Sequence, residues 1–256
     1  MAHDVIAAVI AAGRWKGEVA PGISPWRALA PLNGRPMLAY VLDALRESRG
    51  IKEAILVGPP ELSEHFPDLP RLDPTDTLTG NVFAASRYAQ GKGHVMLVGS
   101  DIPLLTPEAI DGFIAACNFD GTRLFYSIIE KQVTIQKYPQ MKRTYVRLRD
   151  GTYTGGNLML AEPQFFLDRG PQITAIYDAR KSPLRLAQLL GLQLMARTLL
   201  TAVCKLPLLD VPTASVLVGR ALKDPVKGIP IPFAEVGADL DSPEEIPVFE
   251  AILSKR

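Results

Sequence analysis

Three short apolar runs in the first hundred residues restrict the fold more than any other feature. Val5–Ala12, Glu53–Val57 and His94–Gly99 are dense in Val, Ile, Leu, Met and Ala, and too short for surface helices. Gly13 ends the first, Gly58-Pro59-Pro60 the second, and Ser100-Asp101-Ile102-Pro103 follows the third. Apolar residues at consecutive positions imply burial on both faces, as in a parallel sheet covered by helices. Alanine is a poor strand former, so the first strand rests on its Val and Ile content.

Helical stretches punctuate these runs. Met37–Arg46 carries apolar residues at 37, 40, 41, 44 and 45, with Pro36 in its first turn. Asn81–Gln90 follows Thr79-Gly80. Thr106-Pro107-Glu108 opens another helix with an N-cap, a proline and an acid in the order a helix start favours. Gly13–Pro31 reads as a long loop, a length that usually marks function or disorder, and Leu62–Asp76 reads as irregular. Strand, loop and helix thus repeat three times up to Cys117, which predicts an α/β layer with parallel strands and right-handed crossovers.

The second half is less regular. Arg123–Glu130 and Thr144–Leu148 read as strands joined by a basic connection containing Lys131, Lys137, Lys142 and Arg143. Thr154-Gly155-Gly156-Asn157 precedes an apolar run, Leu158–Ala161. Helices are expected over Pro163–Asp168, Leu184–Leu190, Leu192–Val203 and Thr213–Leu222, and a short last strand over Ile231–Val236. Ser242 and Pro243 open a C-terminal helix to about Leu253. With no internal repeat or linker, residues 1–256 read as a single domain.

Composition excludes some functions. A formal charge of +1, from 28 basic and 27 acidic residues, argues against a general nucleic-acid binder. Cys117 and Cys204 have no metal-ligand spacing and read as buried thiols in a reducing compartment. No basic region precedes the first apolar run, and that run is too short to span a bilayer. Leu184–Leu209 is the most apolar region, but Arg185, Arg197 and Lys205 interrupt it. It reads as helices packed on a core, with contact to a membrane surface or a partner as the alternative. A cytoplasmic location is the default expectation.

Ligands of open parallel sheets bind beyond the C-terminal strand ends, and two loops stand out there. After the first strand, Gly13 allows a tight turn, and Arg14, Lys16 and Arg27 would neutralise phosphates. The other reading is a plain basic surface turn. Neither a Walker loop nor a GxGxxG fingerprint is present. After the third strand, Asp101 suits a hard cation such as Mg²⁺, or is simply a turn-forming Asp before proline. Asp239 and Asp241 could cap the last helix or supply a second carboxylate. His3, His65 and His94 have no ligand spacing. Trp15 and Trp26 either stack on a base or anchor the loop.

Taken together, AVIAAGRWKG, PWRALAPLNGRPMLAYVLDAL, VMLVGSDIPLLTPEAI and GADLDSPEEI occur in this order. The chain thereby resembles the nucleotidyltransferase family of glycosyltransferase-A-like fold, which includes molybdopterin guanylyltransferase and sugar-phosphate nucleotidyltransferases. The resemblance covers residues 5–116, returns at Gly155–Asn157 and ends with Asp239–Ile246. It implies a three-layer α/β/α sandwich with a mostly parallel mixed sheet, Rossmann-like in character. Residues 1–117 would form the nucleotide-binding half and 118–256 the acceptor-binding half.

Residue by residue, the resemblance implies that Ala11, Ala12 and Gly13 wrap the NTP phosphates, with Arg14, Lys16 and Arg27 as the phosphate cations. Asp101 and Asp241 would bind Mg²⁺, with Asp239 the lesser ligand. Thr79, Gly80 and Asn81 would contact the base or ribose, and Gly156 and Asn157 the acceptor. Lys137, Lys142, Arg143 and Arg147 are candidates for the acceptor phosphate, although most of them read better as a solvated basic face. The implied substrates are an NTP, CTP or GTP favoured, and a small phosphorylated acceptor, with a homodimer allowed. The family's Gly-x-Gly-x-Arg-Met loop is Gly-Arg-Trp-Lys-Gly here. That departure keeps a second reading open, a non-catalytic nucleotide-binding or regulatory protein of the same fold. A third, an NDP-sugar glycosyltransferase, would need a compact Asp-x-Asp after the third strand, where this chain has Ser100-Asp101.

Overall fold

A computed structural model describes residues 4–15, 24–179, 189 and 209–255. The three apolar runs form the centre of one sheet. Strands β1 (Val5–Ile10), β4 (Glu53–Val57) and β6 (His94–Gly99) are parallel, with β1 in the middle. Including β5 (Arg71–Leu72), β7 (Leu124–Glu130), β9 (Gly151–Ala161) and β10 (Val226–Ile231), the order is β10-β7-β9-β6-β1-β4-β5. β9 runs antiparallel to β6, to β7 and to the short β8 (Val146–Leu148) paired to its start, and the other described pairs of this sheet are parallel. A separate small hairpin, β2 (Pro31–Leu32) with β3 (Arg35–Pro36), lies outside this sheet.

The sheet is covered on both faces, as its uninterrupted apolar strands require. Val5, Ala7 and Val9 point to the face that packs α1 (Met37–Glu47) and α4 (Pro107–Ala116). Ile6 and Ala8 point to the opposite face, which packs α3 (Leu78–Ala89) and α6 (Pro163–Asp168) with its neighbours α7 (Gly170–Ala179) and α8 (Val211–Leu222). The architecture is therefore the expected three-layer α/β/α sandwich on a mostly parallel mixed sheet. A third apolar cluster sits beyond the strand ends and joins Trp15, Leu32, Leu104, Leu240 and Phe249. The last of these is in α9 (Ile246–Leu253).

Several elements differ from the sequence reading. Residues 62–76 are not wholly irregular but hold α2 (Glu61–His65) and β5. Thr79 and Gly80 lie inside α3, whose N-cap is Thr77. Pro36 belongs to the hairpin and precedes α1. The basic connection contains α5 (Lys131–Lys137). The apolar run Leu158–Ala161 and the Gly155-Gly156 pair before it belong to one eleven-residue strand, β9. The last strand is Val226–Ile231, not Ile231–Val236, because β10 is an edge strand where Pro230 removes no ladder bond. The helices expected over Leu184–Leu190 and Leu192–Val203 lie outside the described residues, apart from Leu189. Cys117 is buried, and burial pushes its thiol up to about 12. Cys204 lies outside the described residues. Among the described residues no helix is long and apolar enough to cross a membrane.

Candidate functional site

Beyond the C-terminal end of β1, two short segments zip together. Arg14 pairs with Trp26 in a single antiparallel bridge, and the Arg27 N–H donates to the Gly13 carbonyl at 3.0 Å. Ala11 still belongs to the sheet, its N–H donating to the Val57 carbonyl at 2.8 Å. Ala12 and Gly13 then leave it half-buried. Trp15 is buried in the third cluster and its indole N–H donates to the Ser24 carbonyl at 3.1 Å, so it anchors the loop. Trp26 carries the Arg14 guanidinium, 4.2 Å from its ring centroid, a cation–π contact. Lys16 lies outside the described residues.

The zipper aims Arg27 at the end of β6. Its Nη2 meets Asp101 Oδ2 at 2.9 Å and its Nη1 meets Asp241 Oδ1 at 2.8 Å. Two carboxylates 140 positions apart in sequence are thus brought onto one guanidinium. The Asp101 carbonyl accepts from the Leu240 N–H at 2.7 Å, which ties the end of β6 to the segment carrying Asp241. Glu245 accepts from the N–H groups of Asp241 and Ser242 at 3.0 and 3.1 Å and fixes that segment in turn.

The two ion pairs are unequal. Side-chain exposure is 15% at Asp101 and 57% at Asp241. An exposed pair of the second kind contributes about 0–1 kcal/mol, whereas a buried charge stripped of its partner costs several times more. Burial pushes the Asp101 carboxyl above its ordinary range, against the pull of Arg27. Asp239 is engaged elsewhere. It pairs with Arg143, and the Asn157 amide lies 3.4 Å from its Oδ1. Arg143 also donates to the Gly155 carbonyl at 2.9 Å, and Asn157 to the Val236 carbonyl at 3.1 Å.

A cavity of about 380 Å³ opens beside these groups, lined among others by Tyr126, Lys142, Arg143, Thr154, Asn157 and Asp241. Gly155 and Gly156 form part of its wall. A Cβ on Gly155 would lie 2.2 Å from the Tyr126 hydroxyl oxygen, so the chain approaches too closely for a side chain. Of the four basic candidates for an acceptor phosphate, Lys142 and Arg143 line this cavity. Lys137 instead pairs with the buried Glu235 at 2.8 Å, and Arg147 is exposed on β8.

Thr79, Gly80 and Asn81 lie in the first turn of α3, tied to the residues just before it. The buried Asn81 side chain accepts from the Thr75 N–H at 2.6 Å and its hydroxyl at 3.0 Å, and the Thr77 hydroxyl caps the Gly80 N–H at 3.0 Å. Three cavity residues, Tyr126, Thr144 and Thr154, escaped the sequence reading. Tyr126 and Thr154 come together only through the pairing of β7 with β9, for which the sequence has no local signal.

The model of a MobA-like NTP transferase domain matches residues 7–161, from β1 to the end of β9. The chain belongs to this family. A probable molybdenum cofactor guanylyltransferase of Thermococcus gammatolerans is 30% identical over 120 residues, covering 46% of this chain and 59% of the relative. A 2-C-methyl-D-erythritol 4-phosphate cytidylyltransferase of Frankia casuarinae is 30% identical over 147 residues, covering 52% of this chain and 51% of the relative. These matches span just over half of each curated relative's length. A hypothetical transferase structure from Thermus thermophilus superposes with a TM-score of 0.81 at 30% identity, covering 95% of this chain and 99% of that one. Asp241 lies beyond the family match, and the fold alone carries it to Arg27 and Asp101.

Proposed function

We propose that the chain is a Mg²⁺-dependent nucleotidyltransferase that moves a nucleoside monophosphate from an NTP onto a small phosphorylated acceptor. The observation that carries the reading is the meeting of Arg27, Asp101 and Asp241 beside Gly13, in a chain of the MobA-like family. Asp101 and Asp241 fit a hard cation. They are oxygen donors brought onto one guanidinium at a strand end, and Asp101 is largely buried there. When bound, such a cation supplies charge neutralisation to the phosphates that react.

The protein needs no covalent nucleophile. An oxygen of the acceptor phosphate attacks the α-phosphorus, the bond from that phosphorus to the bridging oxygen breaks, and pyrophosphate leaves with the electron pair. The chain's task is to align the two anions and offset their repulsion. Gly13 lets the backbone approach the triphosphate, and Arg14, Lys16 and Arg27 supply positive charge to the β- and γ-phosphates. Arg143 and Lys142 hold the acceptor phosphate in the adjoining cavity, with Asn157 and Gly156 shaping its wall. The size of that cavity suits a small acceptor rather than a polymer.

The test is a pyrophosphate-release screen of each NTP against phosphorylated small molecules, run with Asp101→Asn as the partner protein. The variant is expected to fold normally and to lose turnover by a factor of about 10³ or more. Full turnover in Asp101→Asn refutes the assignment of this carboxylate. Nucleotide binding by calorimetry without turnover on any acceptor would instead support the non-catalytic reading.

A further inference from the structure

Arg27 stands on a border. Both terminal nitrogens of its guanidinium are engaged by Asp101 and Asp241, the two carboxylates assigned above to the cation. The same group lies against the phosphate-facing loop, since a Cβ on Gly13 would sit 3.0 Å from Nη2 and 3.2 Å from Nε. Its Nε is buried with no hydrogen-bond partner. The carboxylate oxygens that accept from Arg27 are those a cation would use, and the guanidinium facing them is the one a triphosphate would draw. One side chain cannot satisfy both demands at once.

The geometry points to Arg27 as a latch that couples the two ligands. Without nucleotide it bridges Asp101 and Asp241 and holds off a divalent cation; a triphosphate at Gly13 draws the guanidinium away and opens the carboxylates. This rests on the metal-dependent reading proposed above. The exchange requires side-chain rotation only, because the Arg27 backbone is fixed to Gly13 and begins a short 3-10 turn (Arg27–Leu29). The contact to be broken is chiefly the one with Asp101, as the exposed Asp241 pair is screened by water. By linkage the coupling is reciprocal: the cation must also favour nucleotide binding.

The test measures Mn²⁺ binding without nucleotide, from the electron paramagnetic resonance of the free ion, on the whole chain. Arg27→Met is expected to bind Mn²⁺ about tenfold more tightly than the wild type, and the double variant Arg27→Met/Asp101→Asn to lose that gain. In metal-free buffer, Arg27→Met is expected to bind GTP or CTP about tenfold more weakly, because a phosphate partner is gone. Circular dichroism checks the fold. Should Arg27→Met not fold, Arg27→Lys serves instead, with a smaller gain in Mn²⁺ affinity, since one ammonium cannot fork two carboxylates. Equal Mn²⁺ affinity in the wild type and the variant overturns the latch and leaves the metal reading standing. No Mn²⁺ binding by either protein, with or without nucleotide, overturns both.

Discussion

Replacing Gly156 by alanine places a methyl carbon 2.3 Å from the Ser127 hydroxyl oxygen, 2.9 Å from Val236 Cγ1 and 3.0 Å from Ile129 Cδ1. Ser127, Ile129 and Val236 are all fully buried, so none can swing into solvent. The hydroxyl is not idle. It donates to the Leu158 carbonyl at 2.9 Å and accepts from the Leu158 N–H at 3.3 Å, at the irregularity where the β7–β9 register shifts between Tyr126 and Ile128. Overpacking of this kind costs about 1–3 kcal/mol, and each buried polar group left without a partner about 1–3 more. Gly156→Ala is therefore expected to destabilise by about 2–6 kcal/mol, and Ser127→Ala by about 1–3 kcal/mol. The double variant should cost about 1–2 kcal/mol less than the sum, because the hydroxyl is no longer there to be struck. Urea unfolding followed by circular dichroism reads these values from shifts in midpoint at unchanged slope. Strict additivity, or a Gly156→Ala protein within about 0.5 kcal/mol of wild type, would show that the strand yields and the reasoning is wrong.

Two further predictions concern sites away from the chemistry. Arg123 holds Glu162 and Asp168 at 3.0 Å and Asp224 at 3.1 Å. Arg123→Ala leaves the nearly buried Asp224 to Arg169 alone and should lower stability by about 2–4 kcal/mol, with Arg123→Lys recovering less than half; a thermal melt decides. Burial opposes ionisation of Asp111, but the Ser48 hydroxyl and the Gly50 and Arg49 N–H groups outweigh it and hold the carboxyl below its usual range. A depressed folded value means stability that is complete above about pH 4 and lost as pH falls through the folded value. Asp111→Asn should thus be less stable by about 1 kcal/mol at neutral pH, with the gap closing on acidification. A gap independent of pH, measured by urea unfolding, would refute this.

The central sheet was legible because Val5–Ile10 and Val95–Val98 are apolar at every position and end in turn residues, the pattern of a doubly covered parallel strand. Gly13 and Asp101 were legible because each follows such a strand, where ligands gather. Residue 241 was placed by resemblance, but its meeting with Arg27 was not legible, since the partners are separated by most of the chain. Gly155 and Gly156 read only as the lead-in to the apolar run Leu158–Ala161, yet they belong to the same strand. The space a side chain would fill there belongs to the Tyr126 and Ser127 hydroxyls of the neighbouring strand. Helix α5 was missed because Lys131–Lys137 buries only Thr134 fully and shows no apolar stripe. The sheet's far side also depended on which strands neighbour which, and no local pattern states that.

The pairing of β10 with β7 has a consequence for how the chain acquires its shape. Leu124 is matched to Val226 and Ile129 to Ile231, so contacts joining the two strands span roughly a hundred residues, a separation that slows closure. The β1–β4 pairing, Ile6 to Glu53, closes over about half that stretch, whereas β1–β6, Val5 to His94, needs nearly as long a one. During synthesis β7 can dock on β9 and still present a row of unmet N–H and C=O groups until residue 231 has emerged. For that interval the nascent protein carries an open edge that would pair with any extended segment nearby. The last strand to be made thus covers β7 and becomes the sheet's edge in its place, with Pro230 blunting it, and truncation before Val226 should leave a chain prone to self-association.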